Sequence, residues 1–249
     1  MKEDKILIGQ IEDKMKQCES HYMTTRTGFL SLHERSIASG IVTLPGVQKL
    51  LIGGYDEAER VVCFFLPDYA TKEDCLSQLG VIRVSKKPGG RQLTHRDYLG
   101  SLLSLGIDRS VIGDILVRDN GADIICLEEI CDFILTHYFS AGSTELSVDS
   151  VNISQIDIPE VQFKEVTDTI ASLRLDNVIS SAFKVSRTKA VESINRGIVF
   201  VNNLEVNKAD KKIVEGDKIV LRGKGKIILD QIQGKSRKDR TYVVYKVYI

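Results

Sequence analysis

The sequence predicts an α+β protein in several parts, and three observations predict it. Residues 81–151 alternate strand and helix patterns in the order β-α-β-β-α-β. Residues 174–221 read as two short helices followed by short strands, and the chain before residue 76 mixes helical periodicity with two apolar strand runs. At 249 residues there is room for one or two domains of about 100–200 residues each. The division expected is an N-terminal α/β unit at 1–76, a middle domain at 77–155, a linker at 156–173 and a C-terminal domain at 174–249; Gln155 to Ser172, with Pro159 and several polar residues, could be a strand plus linker.

In the N-terminal unit, residues 1 to 20 carry Ile8, Ile11 and Met15 on one helical face among charges. A second helix is expected from Leu30 to Ile41. Two strand runs follow, Val47 to Ile52 and Val61 to Leu66, joined by the polar stretch GGYDEAER in a hairpin, and Pro67 ends the second. The only early apolar run, Ile6 to Ile8, is too short for a signal-peptide core. No segment approaches the ~20 apolar residues of a membrane span, so a cytoplasmic protein is expected.

The middle domain opens with the strand VIRVSK and the loop KKPGGRQ. Thr94 then caps a helix, with Asp97 three residues on able to return the hydrogen bond. Leu99, Leu102, Leu103 and Leu105 follow before the stop at Gly106. Ile112 to Arg118 and Ala122 to Leu127 are strands around the hairpin turn Asp119-Asn120-Gly121. Leu127 to Phe139 is a helix, and Thr144 to Val151 is the last strand. This order predicts a ferredoxin-like, RRM-type plait. Its third strand, ADIICL, lacks the aromatics that stack on bases in an RNA-recognition motif. Either this domain touches RNA through loops and basic side chains, with Lys86, Lys87, Arg91, His95, Arg96 and Arg109 as the candidates, or it binds protein. His95 and Arg96 open a helix beside a glycine-containing loop where an anion could sit.

In the C-terminal domain, Leu175, Val178, Ile179, Ala182 and Phe183 share one helical face. The chain breaks at Val185, and Ser186 is the N-cap of a second helix whose apolar face is Ala190, Val191 and Ile194. Gly197 ends that helix, because the residue after it takes positive φ. Val199 and Val201 mark a strand, Asn202-Asn203 a primed hairpin turn, and Lys218 to Leu221 another strand. Two further strands, KGKIILDQI and TYVVYKVYI, flank the basic loop QGKSRKDR. On the latter strand Tyr242 and Tyr248 share one face and Tyr245 takes the other, so core packing is expected for at least one face.

Charge is distributed unevenly. The whole chain has 34 Lys+Arg against 34 Asp+Glu, but from residue 160 onward the counts are 18 and 11. A basic C-terminal third on an acidic body is the footprint of a polyanion site. Arg187, Lys189 and Arg196 lie off the apolar stripe of the second helix, whose N-terminal amides near Ser186 suit a phosphate oxygen. Arg222, Lys224 and Lys226 follow in a glycine-punctuated run.

These pieces resemble the S4 domain, or alpha-L RNA-binding motif. The match lies in Arg174-Leu175-Asp176, Ser186-Arg187, Ala190, Ile194, Gly197, Val201-Asn202 and Gly216-Asp217, in order over about fifty residues. Asn203 departs from it, since glycine is usual there. Together with LTHRDYLGSLLSLGIDRSVIGDILV and GGYDEAER, the chain resembles the YlmH-like family of bacterial S4-domain RNA-binding proteins. The resemblance implies association with ribosomal RNA or tRNA on the large subunit during handling of stalled translation. The RNA contacts expected are Arg174, Ser186, Arg187, Thr188, Lys189, Arg196, Asn202, Arg222, Lys224 and Lys226, with His95, Arg96 and Arg109 as a secondary set.

Two other readings stay open. One is an RNA-modifying or tRNA-acting enzyme with an accessory S4 module. Against it, the sequence has no phosphate-binding G-x-x-x-x-G-K-[ST] loop, no G-x-G-x-x-G after a strand and no synthetase-like HIGH or KMSKS segment. The other is a protein–protein adaptor with an incidental basic tail. Five cysteines without a CxxC pair support neither a zinc ribbon nor a redox motif. Cys63 and Cys126 read as core residues, and Cys18 with His21 lacks a second pair of ligands. No catalytic residue, cofactor or metal is expected.

Overall fold

A computed structural model describes residues 2–160 and 162–249. The chain forms two compact units, Met1–Pro159 and Glu160–Ile249. Among the described residues no helix is long and apolar enough to cross a membrane.

The first unit begins with α1 (Lys2–His21), β1 (Thr25–Leu30), α2 (Leu32–Gly40), β2 (Gln48–Ile52), β3 (Val61–Leu66) and α3 (Lys72–Leu76). The apolar stripe of α1 runs through Leu7, Ile11, Met15 and Cys18 rather than starting at Ile8. Strand β1 is an addition to the sequence reading, which carried helix back to Leu30. Its register is broken between Arg26 and Phe29, and only Thr25, Phe29 and Leu30 are buried, so no clean period of two is visible. Ser31 then caps α2 through a capping box with Glu34. The three strands pair in the order β1-β3-β2, and β2 with β3 forms the expected antiparallel hairpin.

Central strand β3 is buried on both faces. Cys63 and Phe65 pack on Ile11, Met15 and Cys18 of α1. Val62, Phe64 and Leu66 point the other way, into a cluster with Ile125 and Leu127.

Those two residues belong to the plait, formed by β4 (Leu79–Lys86), α4 (His95–Ser104), β5 (Ile112–Arg118), β6 (Gly121–Leu127), α5 (Cys131–His137), the short β7 (Ser140–Ala141) and β8 (Thr144–Val151). The sheet order is β5-β6-β4-β8-β7, all antiparallel. Numbering the four main strands in chain order, this is 4-1-3-2, the ferredoxin-like arrangement predicted. Ile82, Val84, Ile124, Cys126 and Leu146 pack under Tyr98 and Leu102 of α4 and Ile134 of α5. The opposite face of β6 packs on the N-terminal sheet. All five cysteines are buried, and burial pushes the Cys63 thiol up to about 12.

The second unit contains β9 (Phe163–Ile170), α6 (Leu175–Ala182), α7 (Arg187–Asn195), β10 (Val199–Val201), β11 (Leu204–Glu205), β12 (Lys218–Leu221), β13 (Gly225–Lys235) and β14 (Thr241–Tyr248). They make one sheet in the order β11-β10-β12-β13-β14-β9. Here the stretch 156–173, expected as a linker that could include a strand, does contain one. Its second half is strand β9, which pairs with β14 over its full length, from Thr241↔Ile170 to Tyr248↔Phe163. Its exposed polar residues kept its bounds from showing in the sequence.

Helices α6 and α7 cover one face of this sheet, where Leu175, Val178, Ile179, Ala190 and Ile194 meet Val201, Ile219, Ile227, Leu229, Val243 and Tyr245. Tyr245 is thus a core residue. Tyr248 lies on the other face, its ring 4.9 Å edge-on from Phe163. Asn202 and Asn203 both take positive φ, 52° and 65°, so asparagine serves the primed turn that glycine usually makes.

Candidate nucleic-acid interface

The site is built around a carboxylate. Asp176 sits in the first turn of α6 with its side chain only 2% exposed. Arg174, the residue before the helix, donates from Nε to Oδ1 and from Nη2 to Oδ2, each at 3.2 Å. Arg187, the first residue of α7, donates to Oδ2 at 2.9 Å. The guanidiniums themselves remain 42% and 58% exposed. Burial would raise the Asp176 pKa, but the two arginines outweigh it and hold the carboxyl below its ordinary value. Each guanidinium has five N–H donors in a fixed fork, so an arginine with one edge on Asp176 keeps others for a phosphate. The three charges sum to +1, on side chains held in place before a ligand arrives.

The sequence reading missed a second set of cations in the same place. The loop after β11 folds back on the start of α6: the Leu175 amide donates to Lys211 O at 2.9 Å, the Asp176 amide to Ala209 O at 3.0 Å, and Arg174 bridges Lys212. Lys208, Lys211 and Lys212 are exposed there. Their signal was the run NKADKK, which carries no periodicity and gains meaning only from this fold-back.

The remaining candidates separate. Ser186 Oγ accepts from the Lys189 amide at 3.2 Å, so that part of the helix start is occupied by its own cap. Thr188 and Lys189 are exposed in the same turn as Arg187. Arg196 lies beyond the other end of α7, about 14 Å away for nine residues at 1.5 Å rise. Arg222 is tied to that end through its amide on Ile198 O and lies over the Phe200 ring at 5.5 Å, and exposed Lys224 follows it. The ten expected contacts therefore do not form one cluster: eight of the ten fall into two.

Two of them belong to neither. Asn202 Nδ2 donates to Asp217 Oδ1 at 2.8 Å and its Oδ1 accepts from the Lys218 amide at 2.9 Å, so its side chain holds the turn. Lys226 pairs with Val220, on the sheet face away from the helices, over the Tyr248 ring at 5.8 Å, and burial lowers its pKa.

The secondary set is corrected as well. At the start of α4 the Thr94 amide and hydroxyl donate to Asp97 Oδ2 at 2.8 and 2.7 Å, and Arg91 pairs with the same carboxylate. Arg91 and Thr94 hold Asp97 well below the usual carboxylate range. A carboxylate thus fills the anion position proposed beside His95 and Arg96. Arg109 turns inward and donates to Ile112 O at 2.7 Å and Gly113 O at 3.2 Å. Among the described residues no group of three His, Cys, Asp or Glu is arranged to hold a metal ion.

Comparison with known proteins finds similar domains and relatives. Residues 71–155 match the family model described as "Putative RNA-binding domain in YlmH", and residues 173–219 match the S4 domain. The chain is 30% identical over 245 residues to the "Ribosome-associated protein quality control protein P2" of Bacillus subtilis (strain 168), covering 98% of this chain and 95% of that protein. The solved structure titled "Cell division protein ylmH from Streptococcus pneumoniae" matches with a TM-score of 0.52 at 23% identity, over 62% of this chain and 95% of that one, and supports the fold alone. With a relative aligned along nearly its whole length and the S4 match falling on the arginine clamp, the chain belongs to the YlmH family of S4-domain proteins.

Proposed function

We propose that this protein is a non-catalytic RNA-binding protein whose S4 unit docks on structured ribosomal or transfer RNA of the large ribosomal subunit, in the handling of stalled translation. The observation that carries the reading is the pair of half-exposed arginines fixed on buried Asp176 beside Lys208, Lys211 and Lys212. Phosphate contacts of this kind position a protein on RNA without reading its sequence. A site of this size binds many structured RNAs weakly, and the acidic first unit repels RNA elsewhere. Productive docking therefore needs a second surface, which raises affinity through effective concentration. A ribosomal particle offers RNA and protein within reach, and the Bacillus subtilis relative is named for ribosome association.

The test is sedimentation of cell extract through a sucrose gradient. Wild-type protein should migrate with large subunits, and the Arg174→Ala, Arg187→Ala double variant should stay at the top. If both stay at the top at low salt, also under stalled translation, the ribosomal assignment fails. Incubation with RNA and either ATP or a methyl donor should leave every nucleotide unmodified by mass spectrometry; a modified nucleotide would restore the enzyme reading.

A further inference from the structure

The S4 match ends at residue 219, but the sheet continues for two more strands, and the hairpin they form is basic at its tip. The tip runs from Lys235 to Arg240 and contains four cations and one acid. It is a built turn: the Ser236 amide donates to Arg240 O at 2.7 Å, the Asp239 amide to Ser236 O at 2.9 Å, and the Arg240 amide to Ser236 Oγ at 3.2 Å. The one acid, Asp239, is drawn onto Lys235 Nζ at 2.6 Å. Arg237 and Lys238 are exposed at the apex, and no carboxylate among the described residues pairs with either.

The position of the tip gives this charge its meaning. Arg240 donates from Nε to Thr169 Oγ1 at 3.1 Å and from Nη2 to Thr169 O, which pins the tip to the end of β9. Five residues later the chain reaches Arg174, a span of at most about 18 Å when extended. Arg174 meets Lys212 and shares Asp176 with Arg187. Four stretches far apart in sequence therefore bring cations to one end of the sheet: 174, 187, 208–212 and 235–240. Arg222 and Lys224 sit at the opposite end of β13, eleven residues away, about 36 Å at the usual strand rise.

We infer that the β13–β14 hairpin tip is a second RNA-contacting element, in which Arg237 and Lys238 take backbone phosphates of the same structured RNA held by Arg174 and Arg187. The inference rests on the RNA reading above and deepens it. Two separated sets of phosphate contacts fix the orientation of an RNA helix where one set leaves it free to swivel. Exposed cations on a pinned turn suit this role, because they approach a backbone without distorting the fold.

The experiment uses the full chain and a fluorescently labelled hairpin RNA with a fully paired stem, titrated by anisotropy from about 50 to 200 mM salt. The Arg237→Ala, Lys238→Ala variant should bind roughly tenfold or more weakly. Its slope of log affinity against log salt should be shallower by about 1.4–1.8, the value for two lost phosphate contacts. The charge-conserving Arg237→Lys, Lys238→Arg variant should keep the slope, and melting temperatures should be unchanged in both. If the alanine variant binds like wild type while Arg187→Ala binds weakly, the tip contact is refuted and the S4 reading stands. If the alanine variant keeps its RNA affinity but leaves the ribosomal fraction, the tip docks on protein and the inference is overturned. Absence of salt-dependent affinity in the wild type would sink the RNA reading itself.

Discussion

Replacing Asp176 by asparagine separates two accounts of the arginine clamp. The change raises the local charge by one. If Arg174 and Arg187 act only as charges, RNA should bind more tightly and the salt slope should steepen by about 0.7–0.9. The geometry argues for the opposite outcome. The carboxylate receives three guanidinium hydrogen bonds and the Asn177 amide at 2.9 Å, and an asparagine offers only one acceptor oxygen for the same donors. Both arginines then regain rotamer freedom that binding has to remove, at about 0.5–1.5 kcal/mol for each side chain. A single added surface charge returns about 0.2–1 kcal/mol. The balance is a loss on the order of 1 kcal/mol, or several-fold weaker binding, despite the extra positive charge. Stability should fall as well, by about 1–2 kcal/mol: hydrogen bonds to a charged group contribute about 1.5–3, discounted for guanidiniums that are half in solvent. Anisotropy at fixed salt and urea unfolding read the two effects separately. Tighter RNA binding by Asp176→Asn would refute the orienting role.

Ser186→Ala removes the cap on the Lys189 amide and should lower the stability of the second unit by about 1 kcal/mol in urea. Arg187→Ala should flatten the salt dependence of RNA binding by about one unit and, by taking one guanidinium from buried Asp176, lower the stability of the second unit by about 1 kcal/mol in urea. Gly121→Ala would place a Cβ 1.8 Å from Val84 O, a backbone clash that no rotamer relieves, so the first unit should lose about 3 kcal/mol or more in denaturant unfolding. Burial raises the Asp168 pKa, but Lys184, Ser181 and the Thr169 amide bring it down to about 2. A depressed carboxylate stabilises the fold above its unfolded value near 3.9 and loses that stabilisation as pH falls toward about 2. Asp168→Asn should therefore flatten the decline in melting temperature over that window.

The sequence carried most of the regular elements because their signals are local. The β-α-β-β-α-β order follows from two helical stripes and a hairpin turn at Asp119-Asn120-Gly121, and the structure keeps that order. The S4 helices follow from a five-residue apolar face, an N-cap serine and Gly197. Strand β1 was illegible, and β9 was legible only as a possible strand without bounds. Both are edge strands, β1 in the order β1-β3-β2 and β9 beside β14, but β1 lost its period of two through the irregular register between Arg26 and Phe29, whereas β9 is exposed along most of its length and needs few apolar residues. The candidate site was legible in its arginines and illegible in its geometry. Arg187 and Arg196 look like one patch along a helix, yet they stand at opposite ends of it. Lys208, Lys211 and Lys212 join the clamp only through backbone bonds to Leu175 and Asp176, which no local pattern announces.

The division of charge between the two units has a structural counterpart in the plait. A plait of this order can bind RNA by stacking bases on the open face of its sheet. Here the middle of that face is occupied, because Ile125 and Leu127 of β6 pack into the core beneath Val62, Phe64 and Leu66. Beside them Asp123 is buried between Arg83 and Arg118, with Oδ–Nη2 distances of 2.7 and 2.8 Å, so those two arginines are already paired with it. What stays open lies along β8, where Glu145, Ser147 and Asp149 are exposed. Two of the three are carboxylates, and none is aromatic. Glu145 is paired with Lys87 at 2.9 Å, and the surface gives a phosphate backbone no free cation along β8 and bases nothing to stack on. This sheet face offers bases no stacking platform, whereas the second unit carries half-exposed Arg174 and exposed Arg187, Lys208, Lys211, Lys212, Arg237 and Lys238.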